Sequence, residues 1–349
     1  VTDRGSAQLP FMGALQGALK ATGIDSDVFA DVAPNPKDTN ITSARQMYRR
    51  GGHDAVIAIG GGSGMDAGKA TALTANNDCD VWEFDFDRES PVLPVGHEFP
   101  KLICIPTTAG TGAETESTAM ITHTERGMKL CVWHMDLKPS LTLLDPEITV
   151  GLPATLTAWT GIDAMVHASE AYCVPDFHPM CDGIAVEALA LIGQWLPWAV
   201  EEPGSVTARG GMQIGACLAG VSFLKGLGMV HAISHMVGAE FDTHHGLTNA
   251  IVLPTVLRFN APAISHKLPA MSRALGLENA DFESFDAAIC QMLDRLDIPR
   301  SLSDIGVPIE AARSIAEKAH QDAAAATNPR EADVETIERL VIEAITKGR

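Results

Sequence analysis

The chain has 349 residues, 46% of them hydrophobic and 5% aromatic, which suits a two-domain α/β enzyme better than a fibrous or disordered chain. Its formal net charge of −19 repels nucleic acid and anionic membrane surfaces, so we expect neither as a partner. The seven cysteines are scattered without a CxxC pair, no apolar run reaches about 20 residues and no signal peptide is evident, which together indicate a cytoplasmic protein with reduced thiols.

The first 150 residues alternate short β-branched runs with helical stretches. Apolar runs separated by helices indicate a mostly parallel sheet with helices on both faces. We predict helices over 7–22, 40–51 and 64–75, and strands over AVIAI (55–59), LICIP (102–106), TAMIT (118–122), KLCVW (129–133) and LTLLD (141–145).

The composition changes after Asp145-Pro146. From about 153 to 348 the sequence is rich in Ala, Leu, Ile and Met at helical spacing, and strand signals are few. The segments 152–172 and 182–200 both repeat apolar residues at i, i+3, i+4 and i+7. We therefore predict an α/β Rossmann-like domain over 1–150, followed by an all-α domain over 151–349.

A glycine-rich turn, Gly60-Gly61-Gly62-Ser63, stands between the strand at 55–59 and the helix at 64–75. Glycines there let a phosphate approach the backbone, and the helix N-terminus adds oriented N–H donors. A P-loop is excluded because Gly68-Lys69 is followed by Ala70, and the dinucleotide fingerprint fits only loosely. The turn predicts phosphate binding, with a plain strand–helix connection as the alternative.

A second turn of this kind, IPTTAGTGAETES, follows the strand at 102–106. Its hydroxyls come from Thr107, Thr108 and Thr111, and Gly110 and Gly112 keep the backbone accessible. Turns that follow consecutive parallel strands lie at one edge of the sheet, where doubly wound folds bind nucleotides. The two turns together indicate a nucleotide site more strongly than either turn does alone.

Histidines cluster in the helical half: four of the twelve are His231, His235, His244 and His245. Upstream, Asp163 and His167 are four residues apart, a spacing that puts both side chains on one helix face. Imidazole and carboxylate together suit iron(II) or zinc(II). A single histidine on an apolar helix is more often a hydrogen-bonded core residue, but this concentration favours a metal site. Spacing does not decide which of His235, His244 and His245 is the last metal ligand.

Eight motifs, in order along nearly the whole chain, resemble those of the iron-containing (group III) alcohol dehydrogenase family, whose fold is shared with glycerol dehydrogenase and dehydroquinate synthase. They are PNP (34–36), GGGSGMDAGK (60–69), PTTAGTGAE (106–114), DPEIT (145–149), LP-x6-TGIDAMVHASEAY (152–172), GLGMVHAISHMVGA (226–239), HHGLTNAIVLP (244–254) and TNPR (327–330). The resemblance implies a dehydroquinate synthase-like fold with a metal-binding all-α C-terminal domain.

Carried over by position, the family's metal ligands fall on Asp163, His167, His231 and His245, with iron(II) as the expected ion and zinc(II) as the alternative. The resemblance leaves His235 beside the metal as a proton relay. It implies NAD contacts from Asp3, Asn35, Gly61, Gly62, Ser63, Asp66, Thr107, Thr108, Thr111, Thr118 and Lys129. Asp3 would end the first strand, where a carboxylate accepts hydrogen bonds from the adenosine ribose and repels a 2′-phosphate, which favours NAD over NADP.

Two departures from the family pattern stand out. The family's first strand begins upstream of Val1, so we expect the native protein to be longer. FLKGLG (223–228) differs from the asparagine-containing version of several relatives, and it borders the substrate cleft in the family. The identity of the substrate is therefore not carried over.

The resemblance implies hydride transfer between a small primary alcohol or its aldehyde and NAD, in a homo-oligomer that we expect to be a dimer. A lyase like dehydroquinate synthase would need a dense basic cluster near the metal motifs, and the sequence has none. A metal-independent reductase resembling maleylacetate reductase would not need the Asp/His set. A non-catalytic nucleotide- or metal-binding sensor is the alternative from another class.

Overall fold

The computed structural model describes all residues from 1 to 349 and divides into two compact units. The first unit comprises Val1–Thr108 and Ala113–Thr149, and the second comprises Ala109–Gly112 and Val150–Arg349. The division into domains over 1–150 and 151–349 stays a prediction.

The first unit contains every helix and strand that the sequence predicts for it, with ends shifted by a few residues. The helix predicted from 7 begins at Pro10, because a proline in the first turn loses no helical hydrogen bond. The elements are α1 (Pro10–Ala21), α2 (Asp38–Gly51), β1 (Ala55–Gly60), α3 (Gly62–Thr74), β2 (Lys101–Pro106), β3 (Thr118–His123), β4 (Met128–Trp133) and β5 (Leu141–Thr142).

Three of the five strands form a parallel sheet in the order β1-β2-β5. The register pairs Ala55 with Lys101 and continues to Gly60 opposite Pro106, so β1 and β2 end side by side. Val1 runs along β1, because its amine donates to the Ile57 carbonyl at 2.8 Å and its carbonyl accepts from Ile59 at 3.1 Å.

The other two strands, β3 and β4, form a separate antiparallel pair. The prediction of one mostly parallel sheet is therefore wrong for these two strands. Only four residues, 124–127, connect them, and a parallel pair needs a crossover of a dozen residues or more. Gly127, with φ +63°, closes the turn by donating to the His123 carbonyl at 2.9 Å.

Helix α3 lies close to β1 because Gly68 has no side chain. A Cβ at Gly68 would overlap the side chain of Ala58 in the strand. Such close contact between the helix and the strand is the role of the last glycine or alanine in nucleotide-binding βα turns. The glycine-rich turn is thereby held at the carboxyl end of β1.

The second unit is helical, as the sequence predicts. Helix α4 is buried along most of its length, so its polar residues lie inside an apolar core. The helices are α4 (Ala154–Cys173), α5 (Pro179–Glu201), α6 (Val206–Ser222), α7 (Met229–Phe241), α8 (His245–Ile264), α9 (Leu268–Ala274), α10 (Phe282–Arg295), α11 (Ala312–Ala319), α12 (Ala323–Ala326) and α13 (Val334–Thr346).

Membrane-spanning potential is confined to the second unit. Helix α5 is long and apolar enough to cross a membrane, and 39% of its most apolar window is buried. The segments Val206–Lys225 and Met229–Phe241 meet at a sharp bend, and they would count as a second span only if both belonged to one membrane crossing. Core helices of soluble proteins share these properties, so the evidence for a span is weak.

Two glycine substitutions form a matched test of the contact between α3 and β1. A Cβ at Gly68 overlaps Ala58, whereas a Cβ at Gly17 in exposed α1 meets nothing within 4 Å. We expect Gly68→Ala to lower the free energy of unfolding by about 1–3 kcal/mol. Gly17→Ala should raise it by up to about 1 kcal/mol. Urea denaturation measures both, and stabilisation by Gly68→Ala would contradict this packing.

Candidate active site

The two glycine-and-hydroxyl turns meet at the carboxyl ends of β1 and β2. The Thr107 amide donates to the Gly60 carbonyl at 2.9 Å, and a Cβ at Gly61 would lie 3.5 Å from the Thr108 methyl group. The Ser63 hydroxyl donates to the Pro34 carbonyl, which brings the PNP segment with Asn35 to the same edge. The structure therefore groups the predicted residues Gly61, Gly62, Ser63, Thr107, Thr108 and Asn35.

The local geometry of the first turn fits a phosphate group. Gly60 has φ +149°, and a Cβ at Gly64 would lie 3.1 Å from the Ile59 carbonyl oxygen. Helix α3 begins at Gly62, and its N-cap residue Gly61 supplies no side-chain cap. The turn therefore presents helix N-terminal amides without a covering side chain, which is the chemistry of a pyrophosphate cradle.

Asp3 lies next to this turn. Its carboxylate accepts hydrogen bonds from the amides of Gly5 and Ser6 and from the Ser6 hydroxyl. A Cβ at Gly60 would be 3.4 Å from Asp3 Oδ2. The predicted ribose-binding carboxylate is thus fixed beside the glycine-rich turn.

The predicted residues Asp66, Thr118 and Lys129 lie around the β3–β4 pair. Thr118 and Lys129 share one face of the pair by register, and the Thr118 hydroxyl donates to Glu116 Oε2 at 2.6 Å. Burial raises the pKa of Asp66, against the opposing charges of Lys69 and Lys129. Thr111 is grouped differently, because it belongs to the second unit.

The segment Ala109–Gly112 packs on helices of the second unit. A Cβ at Gly110 would lie 2.7 Å from Thr160 Cβ in α4, and one at Gly112 would lie 2.6 Å from Gly220 Cα in α6. These glycines are therefore needed for close approach, in addition to the accessible backbone that the sequence suggests.

The predicted metal ligands come together in the second unit. Asp163 and His167 lie one turn apart on α4, His231 is in the first turn of α7, and His245 is the first residue of α8. One donor atom from each lies within 4.8 Å of all the others. Asp163 Oδ1 is 3.8, 3.9 and 3.5 Å from Nε2 of His167, His231 and His245.

This donor set fits a divalent ion. Donors bound about 2.1 Å from a tetrahedral ion are about 3.4 Å apart, slightly less than the spacings observed here. Three imidazoles and one carboxylate also suit iron(II) or zinc(II) by ligand type. His245 has a side chain that is 37% exposed, whereas the other three are nearly fully buried, so the set is accessible on the His245 side.

The protonation states favour metal binding. Burial would raise the pKa of Asp163, but His167, His245 and the Asn249 amide together hold that pKa below its usual value. Burial lowers the pKa of His167, against the attraction of Asp163, and lowers that of His231 far more strongly. The Asp163 carboxylate is thus ionised, and the imidazoles of His167 and His231 keep free lone pairs at neutral pH.

Glu170 holds His231 in place, and sequence reasoning missed it. Its Oε2 lies 2.6 Å from His231 Nδ1, and the carboxylate also accepts from the amides of Gly228 and Val230. Burial raises the pKa of Glu170 to about 8, although these amides oppose the shift. The sequence signal that could have indicated Glu170 is its position three residues after His167, which places both on one side of α4.

Asn249 and Asp322 are the other contacts that the sequence did not reveal. The Asn249 amide donates to Asp163 Oδ1 at 2.7 Å, and it stands one turn after His245. Asp322 Oδ2 lies 3.0 Å from His235 Nδ1. The spacing from His245 could have indicated Asn249, whereas no local pattern pointed to Asp322.

The remaining two histidines of the cluster lie beside the ligand set. His235 stacks on His245, with ring centroids 5.4 Å apart. His244 is the N-cap of α8, and its Nδ1 accepts from the Leu247 amide at 3.4 Å. The structure therefore groups His245, not His235 or His244, with the other three donors.

Family models match almost the whole chain. Residues 1–146 match the model described as iron-containing alcohol dehydrogenase, and residues 157–345 match the C-terminal part of the Fe-containing alcohol dehydrogenase family. The chain belongs to the iron-containing alcohol dehydrogenase family. The resemblance stated from the motifs is therefore confirmed.

Individual relatives agree with the family. This dehydrogenase is 35% identical to NAD-dependent methanol dehydrogenase of Bacillus methanolicus over 94% of the chain and 86% of that relative. It is 33% identical to 1,3-propanediol dehydrogenase of Klebsiella pneumoniae over 93% of the chain and 85% of that relative. A crystal structure of 1,3-propanediol oxidoreductase superposes with a TM-score of 0.94 at 34% identity, covering 99% and 91% of the two chains.

These similarities confirm the predicted fold class, with its Rossmann-like first part and helical second part. They also confirm the predicted type of enzyme. The dehydrogenase is an NAD-linked alcohol oxidoreductase of the type that uses a divalent metal, and its substrates are small-molecule alcohols.

Two carboxyl groups of the first unit lie near Lys69, that of the buried Glu114 and that of the half-buried Glu116. Burial raises the pKa of Glu116 to about 7 and that of Glu114 to about 6, although the Lys69 charge opposes both shifts. Lys69 itself is fully buried and donates to the Ala113 carbonyl at 2.7 Å. The stability of this unit should therefore depend on pH near neutrality.

Glu116→Gln tests this dependence. Glu116 has an ordinary pKa of 4.5 and a folded pKa of about 7, so its stability contribution is complete below about pH 4.5 and is lost as the pH rises through about 7. Glutamine keeps the acceptor for Thr118 and does not ionise. We therefore expect the variant to gain about 1–2 kcal/mol over the wild type between pH 5 and pH 8, after allowance for partial exposure.

Denaturant unfolding at the two pH values measures the difference. Glu125→Gln, in the exposed turn between β3 and β4, changes the net charge equally and serves as the control. Identical pH profiles for Glu116→Gln and the wild type would contradict the assignment.

Proposed function

We propose that this dehydrogenase interconverts a small primary alcohol and its aldehyde at an ion held by Asp163, His167, His231 and His245. The observation that carries the proposal is the convergence of one carboxylate oxygen and three imidazole nitrogens within 4.8 Å of one another. Iron(II) is the ion that we propose, and zinc(II) fits the same donors.

When bound, the ion supplies Lewis acidity, which lowers the pKa of an alcohol hydroxyl and polarises an aldehyde carbonyl. The chain contributes the fixed position of the donors. His231 is oriented by Glu170 through its Nδ1, which leaves Nε2 as the ligand nitrogen. The exposed side of His245 is where we propose that the alcohol oxygen enters.

His235 is proposed as the proton relay. A carboxylate only accepts hydrogen bonds, so His235 Nδ1 carries the proton in its bond to Asp322. Nε2 is then the proton acceptor. The His235 side chain is 35% exposed and stacks on His245, so it combines closeness to the ligand set with access to solvent.

The cofactor site is proposed at the glycine-rich turn of the first unit. NAD supplies the hydride-accepting ring, and the chain binds its pyrophosphate and ribose. We propose contacts from Asp3, Asn35, Gly61, Gly62, Ser63, Asp66, Thr107, Thr108, Thr111, Thr118 and Lys129. The support is strongest for the residues that meet at the ends of β1 and β2.

Assembly and location complete the proposal. We propose a homodimer, and the exposed Met128, Trp133 and Met135 of the first unit are apolar surface that an interface would cover. We propose a cytoplasmic location, which seven cysteines outside any disulfide support. The four-donor cluster counts against a metal-independent reductase like maleylacetate reductase, and turnover would exclude a sensor.

A pair of histidine variants tests the roles of the ligand and the relay. We expect His231→Ala to lose both metal content and NADH formation, because a buried ligand is removed. His235→Ala should keep the metal and lose about 10²-fold in kcat, because only proton transfer is impaired. Elemental analysis and NADH formation with a panel of primary alcohols, after loading with iron(II) or zinc(II), provide the measurements.

Full activity after complete chelation would overturn the metal-dependent mechanism. Loss of metal from His235→Ala would instead make His235 a ligand or a structural support of the ligands. A wild type that binds metal and NAD but turns over no alcohol would favour the sensor.

Asp3→Asn tests the predicted preference for NAD. The substitution keeps the shape and an acceptor oxygen for the local amides, and it removes the charge that repels a 2′-phosphate. We expect the ratio of kcat/KM with NADP to that with NAD to rise about tenfold or more. Asp25→Asn, in an exposed loop, is the charge-matched control, and an equal change in both variants would remove Asp3 from cofactor selection.

A further inference from the structure

Asn249 contacts three of the four metal-ligand atoms. Its amide nitrogen lies 2.7 Å from Asp163 Oδ1, 3.2 Å from His231 Nε2 and 3.1 Å from His245 Nε2. The residue is fully buried and stands on α8, one helical turn after His245.

The geometry restricts the protonation of the ligands. The amide NH₂ group has two hydrogens for three neighbouring atoms, so it donates to at most two of them at a time, and its shortest contact is the one to Asp163. An imidazole Nε2 that accepts from Asn249 is unprotonated, which is the form that binds a metal. Glu170 contacts the His231 ring from its other side, with Oε2 2.6 Å from Nδ1.

The amide is itself held mainly by the ligand set. Asn249 Oδ1 is buried and has no hydrogen-bond partner in the structure. A buried amide oxygen without a partner is costly, so its retention points to a role for the nitrogen at the other end of the group. When an ion takes the imidazole lone pairs, the bond to Asp163 remains available, because a carboxylate oxygen accepts more than one contact.

We propose that Asn249 is a positioning residue of the proposed metal centre, whose amide holds Asp163 in its ligating orientation and favours unprotonated Nε2 atoms on His231 and His245 before the ion binds. The inference rests on the proposed metal site and concerns the ion's affinity and geometry. Without the Asn249 amide, Asp163 can rotate, and the imidazoles of His231 and His245 can take the tautomer that is protonated at Nε2. Removal of such outer contacts typically costs 10- to 100-fold in metal affinity.

Cobalt(II) is the probe, because its visible absorption reports both occupancy and coordination geometry without any catalytic assay. We expect Asn249→Ala to raise the Kd for cobalt(II), measured against a competing chelator, about 10- to 100-fold. The absorption spectrum at saturation should also change. Asn249→Ser, which is polar but too short to reach Asp163, should have the same effect and covers the case in which the alanine variant does not fold.

Thr248→Val is the matched control. Thr248 is the neighbouring residue on α8 and is fully buried, but its hydroxyl bonds to His244 and Thr243, outside the ligand set. We expect this variant to lose thermal stability and to keep the wild-type cobalt(II) affinity within about twofold. The comparison separates a general weakening of α8 from a specific effect on the ligands.

The outcomes discriminate between the inference and the proposal on which it rests. A wild type that binds no cobalt(II), iron(II) or zinc(II) would refute the metal site itself. A wild type that binds, with folded Asn249→Ala and Asn249→Ser variants of unchanged affinity and spectrum, would refute only the role of Asn249. Equal losses in these variants and in Thr248→Val would reduce Asn249 to a structural residue.

Discussion

The second unit depends on one constraint: polar groups of the proposed metal site are buried in an apolar helical core, where an unpaired polar group is costly. Asp163, His167 and His231 are at most 4% exposed. Burial of such groups without partners would cost several kcal/mol. The cost is met by bonds between helices, from Asn249 on α8 to Asp163 on α4 and from His231 on α7 to Glu170 on α4. The same contacts that hold the proposed metal ligands therefore connect these three helices.

The helical half of the site was largely readable from the sequence. The spacing of Asp163 and His167 fixes a common helix face whatever surrounds it, because successive residues turn by about 100°. Spacing alone did not choose between His244 and His245, because their side chains point in different directions and the start of α8 decides which one faces the site. Only the resemblance to the family selected His245 in advance.

Other features depended on more than the alternation of apolar residues, which carries no strand direction. The antiparallel pairing of β3 and β4 follows from their short connection, which the predicted strands at 118–122 and 129–133 already implied. Asp322 is 87 residues from His235 along the chain, so no window of sequence contains both. The contacts of Asn249 with Asp163 and His231 likewise span 86 and 18 residues. Such polar partners become visible only when the packing of the helices is known.

Glu170 links the position of a ligand to the start of a helix. Helix α7 has Gly228 as its N-cap, which offers no side chain, so its first amides need acceptors from elsewhere. Glu170 accepts from Gly228 and Val230, Asn328 accepts from Met229, and the same Glu170 carboxylate lies against His231. The first turn of α7 and the orientation of His231, the proposed metal ligand, are therefore one hydrogen-bonded structure, which explains how a glycine without capping ability can stand at the start of this helix.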